Sequence, residues 1–261
     1  MYGKRVGALV TIKHPRLDYR WLAAFAFVAV VFFVFAAPIP QDQAFHHFAD
    51  AREIAGLPNF WNVVSNLPFI AVGAVGLWQF RRKPAILVLF LGIFLIGFGS
   101  AYYHWDPNDR TLFWDRLPMA LTFMAILAGA VEDRVHAKAG AMLLWPLLAL
   151  GAFSLLLWRW TGDLRLYGWV QFFPVVALVL LFLLFASRYA GTSYWILAAA
   201  LYALAKVFEF YDREIYSLGS ILSGHTIAAA AACYVILRYF QTFRPIKFPP
   251  GIAQSPDPAA R

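Results

Sequence analysis

Long apolar runs joined by short charged connections constrain this chain more than anything else in it. Several of the runs are long enough to cross about 30 Å of hydrocarbon, which takes roughly 20 helical residues. Inside lipid each backbone N–H and C=O must be satisfied within its own segment, so the runs are helices. A membrane barrel is excluded, because barrel strands alternate apolar and polar residues and these runs do not. Hydrophobic residues make up 62% of the 261 positions and charged ones 14%. Soluble domains carry about 25% charged residues, so a water-soluble fold could not hide this surface. The expected spans are roughly 21–37, 61–80, 85–104, 112–131, 140–158, 168–187, 192–210 and 217–240. Short connections predict antiparallel neighbours.

The charge distribution sets the orientation. Lys4, Arg5, Lys13, Arg16 and Arg20 lead the chain, and Arg81-Arg82-Lys83, Arg134 with Lys138, and Arg188 occupy alternate connections. With Arg238, Arg244, Lys247 and Arg261 these ends hold 15 of the 22 Lys and Arg residues. The other connections hold Arg52, Arg110, Arg159, Arg165 and Arg213 beside a larger set of acidic residues. The positive-inside rule therefore places both termini in the cytoplasm, which requires an even number of spans. The net charge of +8 is topogenic charge facing anionic lipid, not a nucleic-acid footprint. Residues 1–44 read as a basic leader with an extra helix, 45–240 as the main membrane domain, and the Pro-rich stretch 241–261 as a disordered cytoplasmic tail. The first run could be a signal peptide; Pro38 after Ala36-Ala37, where cleavage would fall, favours a retained helix. The single cysteine, Cys233, permits no internal disulfide, and nothing in the sequence specifies an oligomer.

Charge inside a span costs about 2.5–3.5 kcal/mol on insertion scales, so such residues are functional candidates. Asp115, Arg116, Lys206 and Glu209 lie in or at the ends of spans, with Asn66, Ser100, His104 and His225 in similar surroundings. All but Lys206 fall near the outer ends of their helices. Ser100 and His104 are four apart and share a helix face. Seven residues, Trp105 to Thr111, follow with the turn signal Pro107-Asn108-Asp109. Asp115 then falls near the first turn of the next helix, at a depth similar to His104, where a helix N-terminus favours a carboxylate. Histidine with carboxylate and no thiolate suits zinc with an open position for water, which points to hydrolysis of an acyl group within the bilayer. Taken singly, each residue also has a structural role. Asp115-Arg116 reads as an interfacial ion pair, Lys206 and Glu209 as partners three apart, Asn66 as an interhelical bond. Tyr102, Tyr103 and Trp105 read as an aromatic belt, and His46 and His47 as solvated loop residues. Lys206 could carry a retinal Schiff base and the two histidines a haem, but Tyr202 stands where a retinal protein has an acidic residue.

At these positions the sequence resembles the alkaline ceramidase family, within the superfamily of seven-helix membrane hydrolases that includes adiponectin-receptor-like proteins. Three stretches carry the match: Phe60-Trp61-Asn62-Val63-Val64-Ser65-Asn66, then Gly99-Ser100 with His104, Asp115 and Leu117-Pro118-Met119, then Gly224-His225-Thr226. The resemblance spans about residues 45–240 and implies an all-α integral membrane fold, a seven-transmembrane-helix hydrolase bundle with one extra N-terminal helix. It implies zinc held by His104 and His225, Ser100 polarising the scissile carbonyl or holding the attacking water, and Asp115 as general base, with Asn66 and Glu209 as supporting polar residues. The implied reaction cleaves the amide of ceramide or a related lipid amide that enters sideways from the bilayer.

One departure stands out. The family's last motif is His-x3-His, and position 229 here is Ala229. Asp115 or water could complete a weaker site, His46 or His47 could fold in as the missing ligand, or the chain is a catalytically inactive lipid-binding relative. Asp50 and Asn59 lie where some members bind calcium, but too few acidic residues match to expect a calcium site. Reporter fusions at each end should both read as cytoplasmic; a terminus reading as external would break the orientation derived from loop charge.

Overall fold

The computed structural model describes residues 27–28, 31, 35–80, 84–185, 187, 189–219 and 224–242, excepting the side chains of 218–219 and 224–228. The described residues are overwhelmingly helical, with no strand among them beyond an isolated bridge between Ile54 and Leu57. The helices are α1 (Phe60–Val64), α2 (Leu67–Gln79), α3 (Pro84–Trp105), α4 (Asp109–Arg134), α5 (Ala137–Thr161), α6 (Arg165–Leu184), α7 (Thr192–Phe210), α8 (Asp212–Gly219) and α9 (Gly224–Thr242). With α1 and α2 taken together as Phe60–Gln79, six of these are long and apolar enough to cross a membrane. The chain is an integral membrane protein built of helices. Its lipid-facing surface is studded with large exposed apolar side chains, such as Met142, Trp145 and Leu183.

The span 61–80 is borne out as Phe60–Gln79, with a turn at Ser65-Asn66 dividing α1 from α2. The span 217–240 falls on Asp212–Gly219 and Gly224–Thr242, with 220–223 outside the described residues. The connection before Asp115 is shorter than seven residues, since α4 begins at Asp109. There Asn108 Oδ1 accepts from the N–H groups of Arg110 and Thr111 at 3.0 and 3.2 Å, and Thr111 Oγ1 accepts from Asn108 N–H at 3.2 Å. This reciprocal cap satisfies donors that the helix cannot. Asp115 consequently sits about two turns in, beyond reach of the helix dipole, which acts within the first turn. Of the expected extra span 21–37, only residues 27–28, 31 and 35–37 are described.

Helices α2, α3, α4 and α5 pack in sequence as antiparallel neighbours, α6 returns against α4 and α5, and α9 lies between α7 and α2. Lipid gives apolar helices no hydrophobic reason to associate, so close packing through small residues has to hold them together. The α2–α3 crossing is made at Gly73, where an added Cβ would lie 2.5 Å from Phe94 backbone atoms. The α3–α4 crossing is closer still. A Cβ on Gly99 would overlap the carbonyl oxygen of Trp114, with Asp115 Cα at 3.2 Å. Pro118 lacks the N–H that an unbroken helix would offer to that carbonyl. The Pro118 ring and the bare Gly99 backbone thus bring α3 and α4 together at one level, and Ser100 and Asp115 are the residues next along each helix.

Gly99→Leu should lower stability by about 1–3 kcal/mol through overpacking, whereas Gly168→Ala, whose Cβ would meet nothing within 4 Å, should be tolerated. Thermal unfolding in detergent measures both; equal stability would show that the α3–α4 contact is not close.

Candidate active site

The helical spacing of three amides builds the site. Asn59, Asn62 and Asn66 are three and four residues apart, so they form a stripe facing the end of α3, and all three are buried. Asn59 takes a left-handed conformation (φ 49°), which asparagine tolerates better than most residues. Its amide donates to the carbonyl of His104 at 2.8 Å, capping one of the last carbonyls of α3. The Asn62 amide donates to the Asp50 carbonyl at 2.8 Å, and the Asn66 amide to the Asn62 carbonyl at 2.7 Å. Together these bonds fasten the loop before α1 to the His104 end of α3.

His104 is buried and held by its ring. Its Nδ1 lies 2.8 Å from the Asn62 carbonyl oxygen. A carbonyl only accepts, so Nδ1 bears the proton and Nε2 bears the lone pair. The Asn66 amide nitrogen, 3.0 Å from the same Nδ1, is also a donor and spends its hydrogens on the Asn62 and Val63 carbonyls. Phe48 closes over the ring edge-on, with centroids 5.0 Å apart. Orientation of one ring nitrogen by a backbone carbonyl is how proteins prepare histidine to coordinate through the other.

One turn before His104 on α3, the Ser100 hydroxyl donates to the Asp115 carboxylate. Asp115 is buried, and its Oδ1 has no hydrogen-bond partner; the same holds for Asn66 Oδ1. Buried polar atoms of this kind are rare in folded proteins and call for an explanation. The expected Asp115–Arg116 ion pair does not form among the described residues. Arg116 instead turns to the α5–α6 side, with its guanidinium 5.0 Å from the ring centroids of Trp158 and Tyr167 and 5.4 Å from that of Phe45. Lys206 and Glu209 do pair, at 2.6 Å.

The loop departs from the expectation of solvated histidines. The His46 side chain is only 8% exposed, and its ring nitrogens meet the Tyr103 hydroxyl at 3.0 Å and the Asp109 carboxylate at 3.1 Å. Neither nitrogen is left over for a metal. His47 is exposed. Tyr103, expected in the aromatic belt, is buried and donates to the Phe45 carbonyl at 3.1 Å, while Tyr102 and Trp105 do sit at the surface. Outside the spans, the Arg52 guanidinium grips Asp50 through two bonds of 2.6 and 2.7 Å and holds its carboxyl below the usual carboxylate range.

The donor set fits a metal in part. His104 offers an oriented Nε2, and Asp115 an uncompensated oxygen. The His225 side chain lies outside the described residues. Ala229, one turn further along α9, packs half-buried against the apolar core and brings no donor. Among the described residues no three His, Cys, Asp or Glu side chains converge on one point. Asn62 was not singled out from the sequence, although the Asn59–Asn62–Asn66 stripe in an apolar segment was there to read. The Arg116–Trp158–Tyr167 cluster left no local signal, because its members come from three helices.

No curated protein shows a significant match to the chain. A family model described as Ceramidase matches residues 54–234, more than half of the sequence, including Asn59, Asn62, Asn66, Ser100, His104 and Asp115. The chain belongs to the ceramidase family.

Proposed function

We propose that the chain hydrolyses the amide bond of ceramide or a related lipid amide at the His104–Asp115 site, with zinc as the metal held by His104 and His225. The observation that carries the reading is the Nδ1–H of His104 locked onto the Asn62 carbonyl beside a buried Asp115 with an oxygen to spare. Zinc at such a site polarises a carbonyl and makes a neutral-pH nucleophile of water.

The protein's own residues divide the remaining work. Asp115 takes the proton of the attacking water through Oδ1 and passes it to the departing amine nitrogen. Water and amide thereby become carboxylate and protonated amine. Ser100 holds the other side of that carboxylate and fixes its direction. The Asn59–Asn62–Asn66 stripe keeps His104 from rotating, and Phe48 shields the ring from water. Lys206 and Glu209 neutralise one another nearby. The substrate is as apolar as the lipid-exposed helices around it and approaches from the bilayer.

Ala229 favours a second reading, a ceramidase-like protein that binds lipid without cleaving it. Loss of one ligand removes a share of the roughly 10–16 kcal/mol that full structural zinc sites supply. Restoring the ligand by Ala229→His separates the two: zinc stoichiometry and ceramide hydrolysis should both rise above those of the parent. A parent already fully loaded and active would show that position 229 is not the missing ligand. In any active form, Asp115→Asn should lower kcat by about 10²–10⁴-fold, the usual worth of a general acid–base group. An unchanged rate would remove Asp115 from the chemistry.

A further inference from the structure

A cavity lies at the other end of the bundle from His104. Its lining includes Pro84 at the start of α3, twenty residues or ~30 Å from His104 on the same helix. Its volume is about 190 Å³, larger than the ~150 Å³ apolar cavity that admits benzene in an engineered protein. The inner walls are apolar, made by Ile86 and Leu89 of α3, Phe182 of α6, Trp195 of α7 and Phe240 of α9. Polar groups gather on one side, at the end of α4, as Glu132, Asp133 and Arg134.

Two of these three charges are already engaged. Arg134 donates to the Phe185 carbonyl and to Thr192 Oγ1, both at 2.9 Å, and lies 4.1 Å from the Phe182 ring centroid. Asp133 accepts from the Ser187 hydroxyl at 2.8 Å and faces Arg134 Nε at 3.6 Å. Among the described residues Glu132 makes no hydrogen bond or ion pair. The void is also held open by sequence rather than by crowding. Gly129, five residues before the end of α4, lines it, and a Cβ there would meet nothing within 4 Å. Glycine is a poor helix residue, so it is not present for the sake of the helix; a larger side chain would fit and would fill the space.

We propose that this cavity binds a single-chain lipid amine, with the alkyl chain among Leu89, Phe182 and Trp195 and the ammonium group on Glu132. Such an amine is cationic at neutral pH, and a charge-assisted bond in a partly buried mouth is among the stronger polar contacts. Lipid-amide hydrolysis releases one molecule of this class at each turnover. That source rests on the hydrolase reading; the site does not.

The test uses the full chain in zwitterionic lipid nanodiscs and an alkyl amine bearing a diazirine in its chain. Photolysis should label the peptides around Phe182 and Trp195. Dodecylamine should compete and dodecanoate should not. Glu132→Gln should weaken competition about ten-fold or more, and Gly129→Leu should abolish labelling while leaving the folded fraction intact. Labelling that dodecanoate competes equally, or that survives Gly129→Leu, would overturn the proposal. Ser100→Ala distinguishes the two readings: it should stop any ceramide hydrolysis and leave amine labelling unchanged, so failure of the hydrolase would not pass as failure of the cavity.

Discussion

A buried polar group costs free energy unless it is hydrogen-bonded, and this chain buries a histidine and a carboxylate in its helical bundle. The bond from His104 Nδ1 to the Asn62 carbonyl is the one on which the site depends. It fixes the ring, decides which nitrogen carries the proton, and ties α3 to α1. The amides of Asn59 and Asn66 reinforce it by bonding the carbonyls on either side. Since α1 stops at Val64 and α2 starts at Leu67, the broken helix is part of the same device. Its turn lets Asn66 lie against His104 while Asn62 faces the loop.

The second constraint is the approach of α3 to α4. A proline that cannot donate leaves the Trp114 carbonyl out of the helix ladder, and a glycine without a side chain lets the neighbouring backbone come up to it. Ser100 and Asp115 meet because of this contact. The stretch Leu117-Pro118-Met119 thus acts as a packing instruction. Across the bundle, Gly129 does the opposite and keeps a space open.

Much of the architecture could be read from the sequence because hydrocarbon permits so few solutions. Apolar length alone located α3 through α7 to within a few residues. The helix break at Ser65-Asn66 was hidden, because an apolar run does not reveal where a turn interrupts it. Ser100, His104 and Asp115 were legible from spacing and from the cost of polarity in lipid. What the residues bond to was not. The burial of His46 and Tyr103 depends on a loop folding back over the helix ends, and Arg116 finds its aromatic partners on α5, α6 and that loop. Neither follows from a local pattern.

The site holds an oriented histidine and a carboxylate with a spare oxygen, while Ala229 of α9 packs against the apolar core. The account holds that His104 is prepared to offer Nε2, whatever completes the site. Nitrogen-15 magnetic resonance of histidine-labelled protein, with the His104 signals assigned by their loss in His104→Gln, tests this directly. The account predicts a protonated Nδ1 and an unprotonated Nε2. A proton on Nε2 with a bare Nδ1 would contradict it.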